Sequence, residues 1–208
     1  MREFSLYTRP FNDKERLYQN RMITINPGVT VLVGCNGSGK STLLRQISGA
    51  LRRDKIPFFE YDNYRDGGYS AREVAGHGDD MNLFATLLTS SEGEQIVLNM
   101  GTVAQRIGQF VKKHRGEKQI WVLLDALDSG LSTDNIDELI SLFDLIVSDN
   151  QEQSETYIVI SSNTYELCRS TSTHCFDVTN GKYVKFLNYE EYRDFILASR
   201  EYKDQRNV

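Results

Sequence analysis

The stretch TVLVGCNGSGKST, residues 30–42, constrains this chain more than any other. A β-branched apolar run ends in glycine, and a loop matching G-x-x-x-x-G-K-[ST] follows it. The loop opens directly into KSTLLRQISGALRR, which has helical periodicity. A strand that turns into a helix through such a loop aims backbone N–H groups at one point, and the helix start adds a partial positive charge. Chemistry of that kind cradles phosphate. It makes Asn36, Gly37, Ser38, Gly39, Lys40, Ser41 and Thr42 the expected nucleotide-binding residues. Lys40 is expected to reach the β- and γ-phosphates of ATP, and the Ser41 hydroxyl to bind Mg²⁺.

The rest of the chain supports an α/β fold of the P-loop NTPase class, with a mostly parallel sheet. KIPFFEYD (55–62), QIWVLLD (119–125) and TYIVIS (156–161) are near-continuous apolar runs, as expected of strands covered on both faces. Residues 63–80 are rich in Gly and Asp and read as a loop with a short helix. Beyond Ser91, the positions Ile96, Met100, Val103, Ile107 and Phe110 recur at helical spacing. Ser132 is placed to cap a helix that buries Ile136, Leu139, Ile140, Phe143 and Ile146. HCFDVTNGKYVKFLN (174–188) predicts a hairpin with Asn180-Gly181 in its turn. Asn188 and Glu191 are spaced as a capping box for a last helix that docks by one face.

Composition narrows the function classes. A length of 208 residues, 39% of them apolar, suits one domain with a substantial core. The net charge of -5 argues against indiscriminate nucleic-acid binding, though a local basic patch remains compatible with it. No apolar run approaches the ~20 residues of a membrane span, and MREFSLYTRPF lacks the apolar core of a secretory signal, so a cytoplasmic location is expected. Cys35, Cys168 and Cys175 are irregularly spaced and read as reduced thiols.

Two further motifs follow the phosphate loop in a telling order. SSEGEQ (90–95) opens a long helix, and Asp125 closes an apolar strand. With them the chain resembles the ATP-binding-cassette superfamily, and most closely its SMC-like and chromosome-repair branch and the compact bacterial and phage ATPases of that type. The resemblance implies a single domain over residues 1–208, with an antiparallel N-terminal β portion and a small helical lobe inserted at about 63–115. It implies that Ser91, Gly93 and Glu94 form the S-x-G-E loop, which binds the γ-phosphate of ATP held by a second subunit. It also implies that Asp125 holds Mg²⁺ through water, and that ATP drives homodimerisation.

The sequence departs from that family at three places. Ala126 follows Asp125 where the family has its glutamate general base. Ser162 or Asn163 falls where the family has a switch histidine, and Ser132 replaces the aspartate of the subunit-crossing loop. Asp128 is the nearest remaining carboxylate: either a substitute base or a turn-forming residue before Ser129-Gly130. Of the aromatic residues before the loop, Tyr7, Phe11 and Tyr18 are candidates for stacking on adenine or for core packing. Asp62 or Asn63 stands where the family has a polar residue near the metal, and His77 is a loop histidine.

The expectation is an ATP-dependent dimerisation switch with slow hydrolysis, acting on a protein effector or on DNA. The alternatives are a transporter nucleotide-binding domain and a P-loop small-molecule kinase.

Overall fold

A computed structural model describes residues 1–9, 16–66, 92–150 and 153–206. Six strands form one sheet in the order β4-β5-β6-β3-β7-β8. They are β3 (Gly28–Val33), β4 (Phe58–Asp62), β5 (Gln119–Asp125), β6 (Glu155–Ser161), β7 (Thr173–Asp177) and β8 (Lys182–Val184). Every pairing is parallel except β7 with β8. Two N-terminal strands, β1 (Arg2–Ser5) and β2 (Met22–Ile25), pair antiparallel as a separate sheet. The α/β class and its antiparallel N-terminal portion are thus as expected.

Six helices complete the described residues: α1 (Lys40–Arg53), α2 (Asn63–Asp66), α3 (Glu92–Lys113), α4 (Thr133–Asn150), α5 (Tyr165–Arg169) and α6 (Tyr189–Arg206). Alternation along the central strands divides the core in two. Val122 and Leu124 of β5, with Ile158 and Ile160 of β6, face α3 and α4. Trp121 and Leu123, with Tyr157 and Val159, face α1 and the β1–β2 pair. Both faces are therefore buried, which is why these strands read as unbroken apolar runs. On the second face Trp121 stacks flat on Tyr157, with ring centres 4.0 Å apart, and Phe4 meets Trp121 edge-on at 5.4 Å.

The predicted apolar stripe of α4 is buried at all five positions. Val103 and Ile107 of α3 are buried as expected. Strand β4 begins at Phe58 rather than Lys55, because Lys55 takes a left-handed backbone (φ 54°) that ends the preceding turn and Pro57 follows it. The short helix α5, not foreseen from the sequence, occupies YELCR (Tyr165–Arg169), with Thr164 at its N-cap. At α6 Glu191 N–H donates to Asn188 Oδ1 at 3.0 Å, while Glu191 Oε2 accepts from Leu187 N–H at 2.8 Å. The box closes one residue earlier than its usual form. No helix among the described residues is long and apolar enough to cross a membrane.

Candidate functional site

The parallel strands β3, β5 and β6 end side by side, and the loops that leave them converge. In register, Leu32 and Asp125 each lie opposite Ser161. The crevice beyond the carboxyl ends of such strands is where α/β sheets bind ligands. The loops that begin at residues 34, 126 and 162 leave the strands there.

The phosphate loop is held tightly from behind. Gly39 has φ 105°, and a β-carbon there would lie 2.6 Å from Leu17 Cδ2. Only glycine fits both the angle and the space. Tyr18, 1% exposed, donates its hydroxyl to Gly39 O at 2.8 Å. That settles Tyr18 as a support beneath the loop and not an adenine platform. Tyr7 is 77% exposed and its N–H donates to Gln46 Oε1, while Phe11 and His77 lie outside the described residues. At the start of α1 no side chain caps the helix and no acidic residue stands in the first turn, so its N-terminal charge is left for an anion. Ser38 Oγ is buried with no hydrogen-bond partner among the described residues. An orphaned hydroxyl inside an anion cradle fits a bound phosphate.

Lys40 is 8% exposed. Its ammonium donates to Gly34 O at 2.7 Å, Cys35 O at 3.3 Å and Asn163 Oδ1 at 2.8 Å. Burial lowers its pKa from the ordinary lysine value, against the opposing fields of Cys35, Asp128 and Asp125. Of the two candidates at the switch position, Asn163 therefore reaches Lys40, and Ser162 turns elsewhere.

Ser41 Oγ donates to Asp125 Oδ1 at 3.0 Å. Ser161, which sequence reasoning passed over, donates to the same carboxylate oxygen, and Ala126 N–H donates to Ser161 Oγ at 3.0 Å. Only the register of β5 against β6 could have exposed it. Two adjacent oxygen donors suit Mg²⁺, a hard ion that takes one or two protein ligands and fills its shell with phosphate and water. The described residues contain no larger cluster of metal-ligating side chains.

Ala126 lies just past β5 with φ 53°, and no carboxylate projects from it. Asp128, two residues on, is 7% exposed. Its Oδ2 accepts hydrogen bonds from Ser162 Oγ and Thr164 Oγ1, each at 2.6 Å. Ser162 Oγ also accepts from Thr164 N–H at 2.9 Å. The carboxylate so ties the loop after β5 to the loop after β6. Asp62 lies opposite Asp125 in register and its N–H donates to Asp66 Oδ2, while Asn63 Oδ1 accepts from the Tyr61 hydroxyl. Ser132 precedes α4, where its carbonyl accepts from Ile136 N–H. Gly93 and Glu94 fall in the first turn of α3; Ser91 lies outside the described residues.

Residues 14–205 match the protein family described as AAA domain. The chain belongs to that family. Its fold is the P-loop fold of ATP-binding cassettes, a fold that binds nucleotide. A stretch of 62 residues, 30% of this chain, is 44% identical to the cytochrome c biogenesis ATP-binding export protein CcmA of Rhizobium johnstonii. The match spans 29% of that relative's length. Along 95% of both chains the structure is similar to MJ1267, an ATP-binding cassette of an ABC transporter, with a TM-score of 0.53 and 12% identity. A second structure of MJ1267, in its ADP conformation, has a TM-score of 0.48 and 13% identity over 90% of this chain and 93% of that one. At 12% identity the likeness to the first of these is one of fold.

Proposed function

We propose that this cassette is a nucleotide-dependent dimerisation switch that hydrolyses ATP slowly. The observation that carries it is the asymmetry at the ends of β3 and β5. The groups that would hold Mg-ATP stand together, while the position after Asp125 carries only a methyl group.

Lys40 would leave its loop carbonyls for the β- and γ-phosphates, and the N–H groups of residues 36–42 would line the phosphate chain. Ser41 and Asp125 would hold Mg²⁺, which neutralises charge on the phosphate oxygens when bound. Asn163, already on the Lys40 ammonium, would orient it toward the terminal phosphate. Asp128 serves as an anchor between loops: its Oδ2 already accepts two short hydroxyl bonds, from Ser162 and Thr164. With no glutamate at position 126, attacking water lacks a placed base. Loss of a general base costs about 10²- to 10⁴-fold in rate, and charge stabilisation by the remaining groups keeps turnover above zero.

Ser91, Gly93 and Glu94 would bind the γ-phosphate held by a second copy, so ATP would close a homodimer around two nucleotides. The closed dimer would act on a protein effector or on DNA, without a membrane partner. Light scattering tests this. Mg-ATP should double the mass and ADP should not, and Ser91→Arg should block the dimer while sparing nucleotide binding. A mass indifferent to ATP, or an unhindered Ser91→Arg dimer, refutes the switch.

A second reading, a transporter's nucleotide-binding domain, is favoured by the 62-residue match to CcmA. Co-purification of an integral membrane subunit from detergent extracts would move the assignment there. The small-molecule-kinase alternative has no support in the family match.

A further inference from the structure

Helix α6 docks by one face, and that face continues past the core onto the phosphate loop. Tyr192 is buried, and Phe195 and Ile196 pack on the same cluster. Ser199 and Lys203 follow at helical spacing. Cys35 N–H donates to Ser199 Oγ at 3.1 Å, and the Lys203 ammonium donates to Asn36 O at 3.2 Å. The Lys203 stem lies over Gly37: a β-carbon there would be 3.5 Å from Lys203 Cδ and 3.6 Å from Nζ. Consecutive turns of α6 therefore engage consecutive residues of the loop.

Packing alone does not explain a cation at this place. Lys203 is 27% exposed, and its ammonium rests on a neutral carbonyl. Its carboxylate neighbour, Asp204, is 61% exposed and 3.9 Å away. An ion pair of that kind contributes little. The loop carbonyl takes one of the three protons of the ammonium. Asn36 is also the wall that α6 shares with Asn163, the residue on Lys40. Both line a cleft of about 270 Å³ with Arg193 and Leu197 of α6. Lys40 reaches the β- and γ-phosphates in loops of this type, so the Asn163 side of the loop is its terminal-phosphate end. Lys203 stands at that end.

We infer that Lys203 is a second phosphate-directed cation of this site, turning from Asn36 O toward the γ-phosphate so that α6 distinguishes ATP from ADP. The inference rests on the nucleotide-binding reading above. A lysine suits the task because its flexible stem lets a strongly hydrated point charge swing between acceptors. Since ADP lacks the terminal phosphate, the contact forms with ATP alone.

Calorimetric titration with Mg-ATP and Mg-ADP tests it on the full chain. Lys203→Gln is one atom shorter than lysine but keeps a neutral N–H donor on the side that faces Asn36 O, so it removes the charge with little change to the packing of α6. ATP affinity should fall about three- to fivefold, the upper scale of one partly exposed charge contact, and ADP affinity less than about 1.5-fold. Lys203→Arg should retain the ATP-to-ADP ratio. Equal losses for both nucleotides would make Lys203 a mere brace of the loop, and no loss for either would remove it from the site; both overturn the inference. A wild-type chain that binds neither nucleotide would instead remove the underlying function. Thermal melts by circular dichroism identify any variant that fails to fold, and Lys203→Ala then supplies the second comparison.

Discussion

Replacing Asp128 separates an anchor from a base. In the folded chain its carboxylate is 7% exposed and accepts two hydroxyl bonds of 2.6 Å. Asp128→Ala deletes both. A hydrogen bond to a charged group contributes about 1.5–3 kcal/mol. The two together are then about 3–6 kcal/mol, offset in part because no carboxylate need be desolvated. A net loss of about 2–4 kcal/mol is expected, a large share of the ~5–15 kcal/mol that holds a typical domain together. Asp128→Asn keeps one carbonyl acceptor and should cost about 1–2 kcal/mol. Urea unfolding reads this directly, because the chain has one tryptophan, Trp121, fully buried against Tyr157. A cycle with Ser162→Ala should return a coupling above about 1 kcal/mol, as contacting residues in one network do. Turnover provides the second axis. An anchor predicts less than a tenfold loss for Asp128→Asn, whereas a general base predicts at least about a hundredfold loss with ATP binding intact. Asp128→Ala costing under about 1 kcal/mol, or an Asp128→Asn enzyme that binds ATP and no longer hydrolyses it, refutes the anchor.

Lys40→Ala should weaken ATP binding at least about thirtyfold in a calorimeter, the low end for removing one partner of a desolvated charge pair; wild-type affinity would place the nucleotide elsewhere. Ala126→Glu should raise hydrolysis at least about tenfold and shorten the life of the ATP dimer, because the backbone there is held by Ser161 whatever the side chain. An unchanged rate would mean that the substitutions at Ser132 and Asn163 have disabled the site as well. Wild-type turnover should lie well below the ~10 per second of ordinary enzymes.

Much of the architecture was legible because the signals are local. The glycines and Lys40 of residues 34–42 state strand, turn and helix within one short window, and α1 occupies the span its sequence predicts. The stripe of α4 and the apolar runs of β5 and β6 are equally local, since period and continuity report how many faces an element buries. Ser41 and Asp125 were singled out from their motifs, and their 3.0 Å contact arises because Ser41 opens α1 beside the strand end that Asp125 closes.

What the sequence determined by itself was therefore the class of fold, the phosphate loop, the strand-end aspartate and the missing glutamate at Ala126. These depend on residues adjacent in the chain, where spacing and backbone chemistry act directly. Tertiary structure alone decided the rest. Asn163 rather than Ser162 meets Lys40 because β6 lies beside β3, and Ser162 is committed to Asp128 across the gap between two loops. Ser161 joins Asp125 through the register of β5 against β6. Tyr18 became a support because Gly39 brings the loop down upon it, and Lys203 reached Asn36 across 167 residues of chain. Such contacts depend on how elements stack, and stacking follows from burying both faces of one sheet at once, a condition no short window of sequence contains.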